Sequence, residues 1–143
     1  MLVPQGSTIV YTEDKNGNQR ISRSTLKGQL EIPLLILVNG NSASASEVLS
    51  GAVKDLGIGK LVGERTFGKG LVQNIFEVGD GSAVKVTVAR YYTPGGVCIQ
   101  DMGIEPDYPV EMSSLLAAQI SSLTVEEDVQ LSEALRIMAE LIE

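Results

Sequence analysis

The chain has 143 residues, 43% hydrophobic and 20% charged, enough for one globular domain with a packed core and too apolar for a disordered segment. A net charge of −7, with no basic run and 4% aromatic residues, excludes phosphate-backbone binding and base stacking, so no nucleic-acid partner is expected. Having no histidine and one cysteine, Cys98, the chain can form neither a Cys/His zinc site, nor an internal disulfide, nor a Ser-His-Asp triad; any nucleophile needs another base.

In chain order, residues 7–12 and 19–24 read as two strands flanking EDKNGN, where Asn16-Gly17 is a hairpin signal because both residues tolerate positive φ. Residues 32–38 form a short, continuous apolar run and predict a buried strand that stops at Asn39-Gly40-Asn41. Interrupted by Pro33, the run is too short to cross a bilayer, and no basic-then-apolar signal segment opens the chain. A helix is expected from Ser44 to Leu56, with Ala45, Val48, Leu49, Ala52, Val53 and Leu56 on its buried face and Gly57 and Gly59 ending it. Residues 60–63 read as a strand. Residues 72–78 and 83–92 read as a pair around Gly79-Asp80-Gly81, with Val84, Val86 and Val88 alternating as in a half-buried strand.

Loops are expected at 93–96 and 103–107, and partial helix over 111–123. Thr124-Val-Glu-Glu127 resembles a capping box that opens a last helix, whose stripe is Leu131, Ala134, Leu135, Met138, Leu141 and Ile142. The order β-β-β-α-β-β-β-α predicts a mixed α/β layer structure.

The segment GERTFGKGLVQ, residues 63–73, has the glycine–lysine spacing of a phosphate-binding loop. Position 70 is glycine, so the magnesium-holding hydroxyl is missing, and the β-prone LVQNIFEV follows where a helix should begin. A nucleotide site is therefore not expected. Gly68 and Gly70 suit a lysine that other backbone approaches closely. They suit equally an exposed lysine in a turn.

Asn39-Gly-Asn-Ser-Ala-Ser-Ala-Ser-Glu47 joins a buried strand to a helix N-terminus, where unpaired amides stabilise a developing oxyanion. Ser44-Ala-Ser-Glu47 also fits S-x-x-E, a capping box whose serine only satisfies a helix amide. On these residues alone both uses stand, and the second is the commoner. Lys54 lies ten residues along the helix from Ser44, about 15 Å at 1.5 Å per residue. Lys60 follows the far end of that helix and Lys85 sits mid-strand. Only Lys69 follows a strand returning toward Ser44.

Taken together, NGNSASASEVLSGAVKDLG, GERTFGKGLVQ and DGSAVKVTVARYYTPGG with IQDMGIEPD closely resemble the carboxyl-terminal processing proteases, the tail-specific serine peptidases of family S41. The resemblance runs from about Ser7 to Asp107 and weakly into EEDVQLSEAL. It implies a mixed-sheet, ClpP/crotonase-like α/β peptidase core, here partial. It implies Ser44 as nucleophile, Lys69 twenty-five residues later as general base, Gln73 four further on as the residue that orients the lysine, and the Ala45 N–H as an oxyanion donor. Peptide or protein substrates, no cofactor and a setting outside the cytoplasm (periplasm or cell envelope) follow from the same likeness.

The family's upstream Asn-x-x-Gly-Gly-type oxyanion motif and its substrate-binding PDZ domain are not in residues 1–143. The chain is thus expected to be the C-terminal portion of a catalytic domain, weakly active or inactive alone. Apolar surface left open by the missing part is expected to favour self-association into a homo-oligomer. The alternative from another class is a non-catalytic polypeptide-binding or assembly module of the same fold.

Overall fold

The structure, a computed structural model, describes residues 2–28 and 31–142. Two sheets form it. The first has the order β2-β1-β6-β5 and is antiparallel, from β1 (Thr8–Asp14), β2 (Gln19–Arg23), β5 (Leu71–Val78) and β6 (Ser82–Tyr92). The second has the order β3-β4-β7 and is parallel, from β3 (Leu35–Val38), β4 (Lys60–Gly63) and β7 (Tyr108–Pro109). Helix α1 (Ala45–Asp55) makes the crossover from β3 to β4 that a parallel pair requires. A short α2 (Ser114–Ala117), a 3₁₀ turn (Ile120–Ser122) and α3 (Val129–Ile142) complete the chain. The mixed α/β architecture is the one expected, and β7 is an addition too short for any pattern to announce.

The period of two in β4 organises the core. Leu61 and Val62 are both fully buried and point to opposite faces of the parallel sheet. Leu61 packs with Val38, Ile99 and Ile104, joined by Val48 of α1. Val62 packs with Ala134 and Ile137 of α3. Both faces of β4 are thus covered, whereas the strand expected to be buried over 32–38 begins only at Leu35 and is enclosed only at Val38, with Leu37 42% exposed.

Both long helices bury a face that overlaps the expected stripe but is rotated from it: Ala52 and Val53 of α1 and Ala134 of α3 are buried as expected, and other members are not. In α1 the buried residues are Glu47, Ser50, Gly51, Ala52 and Val53, whereas Ala45 and Leu49 are exposed. Polar Ser50 is accommodated because its hydroxyl donates to the Ser46 carbonyl at 2.8 Å. In α3 the buried residues are Gln130, Ala134 and Ile137, and Leu135, Leu141 and Ile142 of the expected stripe face outward. The expected capping box at Thr124 is also displaced. Glu127 does accept from the Thr124 amide and hydroxyl, at 2.9 and 3.0 Å, but within a turn that precedes the helix. The α3 amides of Gln130 and Leu131 donate instead to Asp128 Oδ1, at 3.1 and 2.9 Å.

The β5–β6 hairpin departs from expectation in the same way. β1 pairs with β6 only over Ala89–Tyr92, so residues 82–88 are paired on one side alone and the hairpin projects from the sheet. Ile75, Phe76, Val84 and Val86 are consequently exposed, and the alternation of valines does not mark a half-buried strand. At the sheet's inner end Tyr11 and Tyr92 are paired in register and their rings stack 5.0 Å apart.

Candidate active site

Ser44 lies between β3 and α1, at the helix N-terminus. Its backbone has φ 57° and ψ −110°, a left-side conformation that a residue with a Cβ adopts only when its surroundings hold it there. The preceding loop is tied down by its own polar groups. The Ser42 hydroxyl accepts from Asn39 N–H at 3.1 Å, Asn39 Oδ1 accepts from Asn41 N–H at 2.9 Å, and the Ser42 carbonyl accepts from Phe67 N–H at 2.9 Å. Ser44 itself is exposed. Ser44 and Glu47 stand in a capping-box relation, and the well-formed half of it is the Ser44 N–H donating to Glu47 Oε2 at 2.9 Å; the serine hydroxyl makes no well-formed cap hydrogen bond. The Ala45 N–H, at the first position of the helix, meets no acceptor among the described residues.

Glu47 is the centre of the arrangement. It is 0% exposed, and its carboxylate takes four donors. The Thr66 hydroxyl and the Gly68 N–H donate to Oε1, each at 2.6 Å, and the Ser44 and Lys69 N–H groups donate to Oε2 at 2.9 and 2.8 Å. Two amides on one oxygen lie within about 6 Å of each other at ordinary hydrogen-bond lengths. The backbones of Ser44 and Lys69 are therefore neighbours although 25 residues separate them. Hydrogen bonds to a charged partner contribute about 1.5–3 kcal/mol each, and a buried carboxylate without such donors is strongly unfavourable.

The same bonds dispose of the phosphate-loop pattern. Four successive amides of the loop are already satisfied: Phe67 by the Ser42 carbonyl, Gly68 and Lys69 by Glu47, and Gly70 by Gln100 Oε1 at 3.0 Å. None is left to cradle a phosphate, and β5 rather than a helix follows. The two flanking glycines are needed for packing. A Cβ at Gly70 would lie 2.4 Å from Gln100 N, and Gly68, at φ 89°, would bring one to 3.1 Å from Gly103 N. Residues 99–103 thus lie directly against the loop that carries Lys69.

The three side chains singled out in the sequence are not hydrogen-bonded to one another. Lys69 is exposed and forms no ion pair among the described residues, so the burial that a neutral lysine base requires is not provided here. Gln73 is exposed at a bulge in β5, and its Nε2 donates across the hairpin to Thr87 Oγ1 at 3.3 Å. Lys69 and Gln73 do line one open recess of about 500 Å³, with Phe67, Leu71, Gln100 and Asp101; Ser44 does not line it. Of the other lysines weighed, Lys54 donates to the Glu105 carbonyl at 2.7 Å, Lys60 pairs with Asp107 at 3.6 Å, and Lys85 is exposed in the middle of β6.

In the sequence Glu47 reads as a cap and no more. Its wider role had one visible signal, since Glu47, Ser50, Gly51 and Lys54 recur at helical spacing as a polar and small stripe. That pattern is equally what a solvated helix face looks like.

The profile of peptidase family S41 matches residues 1–110. A carboxyl-terminal-processing protease of Synechocystis sp. is 45% identical over 132 residues, covering 92% of this chain and 30% of that protein. A chloroplastic C-terminal processing peptidase of Tetradesmus obliquus is 45% identical over 111 residues, or 78% of this chain and 24% of its own length. Among solved structures, a photosystem II D1 C-terminal processing protease is 47% identical and superposes with a TM-score of 0.72 over 78% of this chain and 29% of its own. The tricorn protease shares the fold alone, at 18% identity and a TM-score of 0.55, over 93% of this chain and 12% of its own. The chain spans less than a third of each of these proteins. The mixed α/β fold is thus part of a ClpP/crotonase-like peptidase core, and by the profile match and these likenesses the chain belongs to peptidase family S41.

Proposed function

We propose that this chain carries the reacting groups of a serine endopeptidase that cleaves polypeptides near their C-termini. Ser44 is the nucleophile, Lys69 the general base, Gln73 the residue that orients the lysine, and the Ala45 N–H one donor of the oxyanion hole. The observation that carries the reading is the single Glu47 oxygen that accepts from both the Ser44 and the Lys69 amide. Support also comes from the strained backbone at Ser44, the free Ala45 N–H, and relatives named as C-terminal processing peptidases.

In this reading neutral Lys69 takes the Ser44 proton and Ser44 Oγ attacks the peptide carbonyl. The oxyanion forms at the start of α1, the proton passes to the leaving amine, and an acyl-enzyme remains for water to hydrolyse. Because Lys69 is exposed, the amine has to be desolvated by substrate or by protein outside the described residues. The substrate is a polypeptide with an accessible C-terminal region, and the setting is outside the cytoplasm. Among the described residues no helix is long and apolar enough to cross a membrane.

Cleavage of an unfolded polypeptide by the full-length protein and by its S44A variant, with products identified by mass, tests the reading. Cleavage by the first and not by the second is expected. Equal cleavage by both overturns Ser44 as nucleophile, and binding without cleavage by either favours a non-catalytic polypeptide-binding module. The same pair made on residues 1–143 tests whether this chain alone is weakly active or inactive.

A further inference from the structure

We propose that Glu47 is a positioning residue for the Ser44–Lys69 pair, setting the distance between the two and holding Ser44 in its strained conformation. The inference rests on the peptidase reading above and adds a residue to it. A cap needs one oxygen near one end of one helix. Glu47 does more, because its oxygens bridge two chain segments and every one of its four donors belongs to Ser44 or to the loop 66–69.

Geometry makes the bridge short and stiff. The carboxylate is wholly enclosed, so no water competes for its lone pairs. Thr66 braces it from behind: its hydroxyl donates to Oε1 and accepts from Ile104 N–H at 2.8 Å, which ties the bridge to the core residue Ile104. Among the described residues the amide of Ser44, at φ 57°, has no acceptor but Glu47, so loss of that contact frees it to relax toward an unstrained conformation. A displacement of about 1 Å between nucleophile and base is enough to cost roughly 100-fold in rate.

A glutamine at this position has one acceptor oxygen where two are needed: its NH₂ meets the Ser44 and Lys69 N–H groups head-on in one orientation, and the Gly68 N–H and the Thr66 hydroxyl in the other. Aspartate keeps the charge but is one methylene short of both segments. The control is S50A, which removes another buried, hydrogen-bonded polar side chain from the same helix without touching the bridge.

The experiment compares E47Q, E47D and S50A in the full-length protein, reading kcat and KM on an unfolded polypeptide, the rate at which a serine-reactive phosphonate labels Ser44, and Tm. The expected result is a fall in kcat and in labelling rate of at least about tenfold for E47Q, with KM within about twofold. E47D should lie between E47Q and the unmodified protein, and S50A should keep its kcat at a similar loss of Tm. A folded E47Q or E47D with unchanged kcat overturns the inference, as does an S50A that loses kcat in step with Tm. If both Glu47 variants fail to fold while S50A folds, Glu47 serves folding and the inference fails. Unmodified protein that does not cleave overturns the peptidase reading and this inference with it; cleavage with unaltered E47Q overturns the inference alone.

Discussion

Around Glu47 the chain buries polar groups, whereas along the β5–β6 hairpin it exposes apolar ones. At the first place a carboxylate, a threonine hydroxyl and three backbone amides are withdrawn from water and satisfy one another. At the second, Ile75 and Phe76 stand 69% and 52% exposed on a hairpin that half the sheet does not reach. Hydrophobicity alone would order the two regions the other way. What decides is connectivity: Glu47 is enclosed because the loop 66–69 folds back onto the start of α1, and the hairpin is open because only its own two strands build it. Mutual satisfaction makes the first region intolerant of change, while the second has few neighbours to disturb.

Removing the lysine amine should give the largest effect. K69A is expected to lower kcat by about a thousandfold or more, as loss of a general base does when nothing else can take the serine proton. Cleavage kinetics at saturating substrate would show it, with Tm near that of the unmodified protein because Lys69 is exposed. A variant that retains its activity would remove Lys69 from the mechanism.

Matched glycine substitutions sharpen the contrast in stability. G70A forces a Cβ to within 2.4 Å of Gln100 N, backbone against backbone, and should cost roughly 2–4 kcal/mol in chemical denaturation. G79A, in the hairpin turn, puts a Cβ where nothing lies within 4 Å, and should fall within about 0.5 kcal/mol of the unmodified protein. Equal losses at the two sites would mean that the Lys69 loop yields as readily as the turn. I75T is likewise expected within about 0.5 kcal/mol because the side chain is already solvated.

The smallest effect is one of acidity. The Ser82 hydroxyl, and then its amide, donate to Asp80 Oδ1 and hold that carboxyl below the usual carboxylate range. A lowered folded-state pKa stabilises the turn at neutral pH, and the contribution is lost as pH falls through the folded value. The protection factors of the hairpin-turn amides, corrected for the intrinsic pH dependence of exchange, should therefore be unchanged from pH 7 to about 5 and fall only below about 4. D80N should abolish that acid dependence; an onset near neutrality would rule Asp80 out as its source.

Much of the fold could be read locally. Asn16-Gly17 and Gly79-Asp80-Gly81 mark both hairpin turns, the apolar run at 32–38 and the segment 60–63 mark the two main parallel strands, the first of which starts only at Leu35, and α1 and α3 lie where periodicity puts them. Such features depend on a few neighbouring residues, whose steric and hydrogen-bonding preferences act over one turn or one strand. The family likeness was legible for a related reason, since it rests on motifs in fixed order, and it named Ser44, Lys69, Gln73 and Ala45 as candidates. Which face each helix buries was legible only in part, through Ala52, Val53 and Ala134. Gly51 also goes inward on α1, and Gln130 on α3, because particular partners meet them there: Thr93 and Ile104 lie 42 and 53 residues from Gly51, and Val110 lies 20 residues from Gln130. Nor could the sequence tell that Glu47 spans two segments, that Lys69 is exposed, or that the hairpin projects beyond β1. Each is a question of which distant groups arrive at one point. Burial and hydrogen-bond satisfaction are properties of the assembled chain, and only the tertiary structure assigns them.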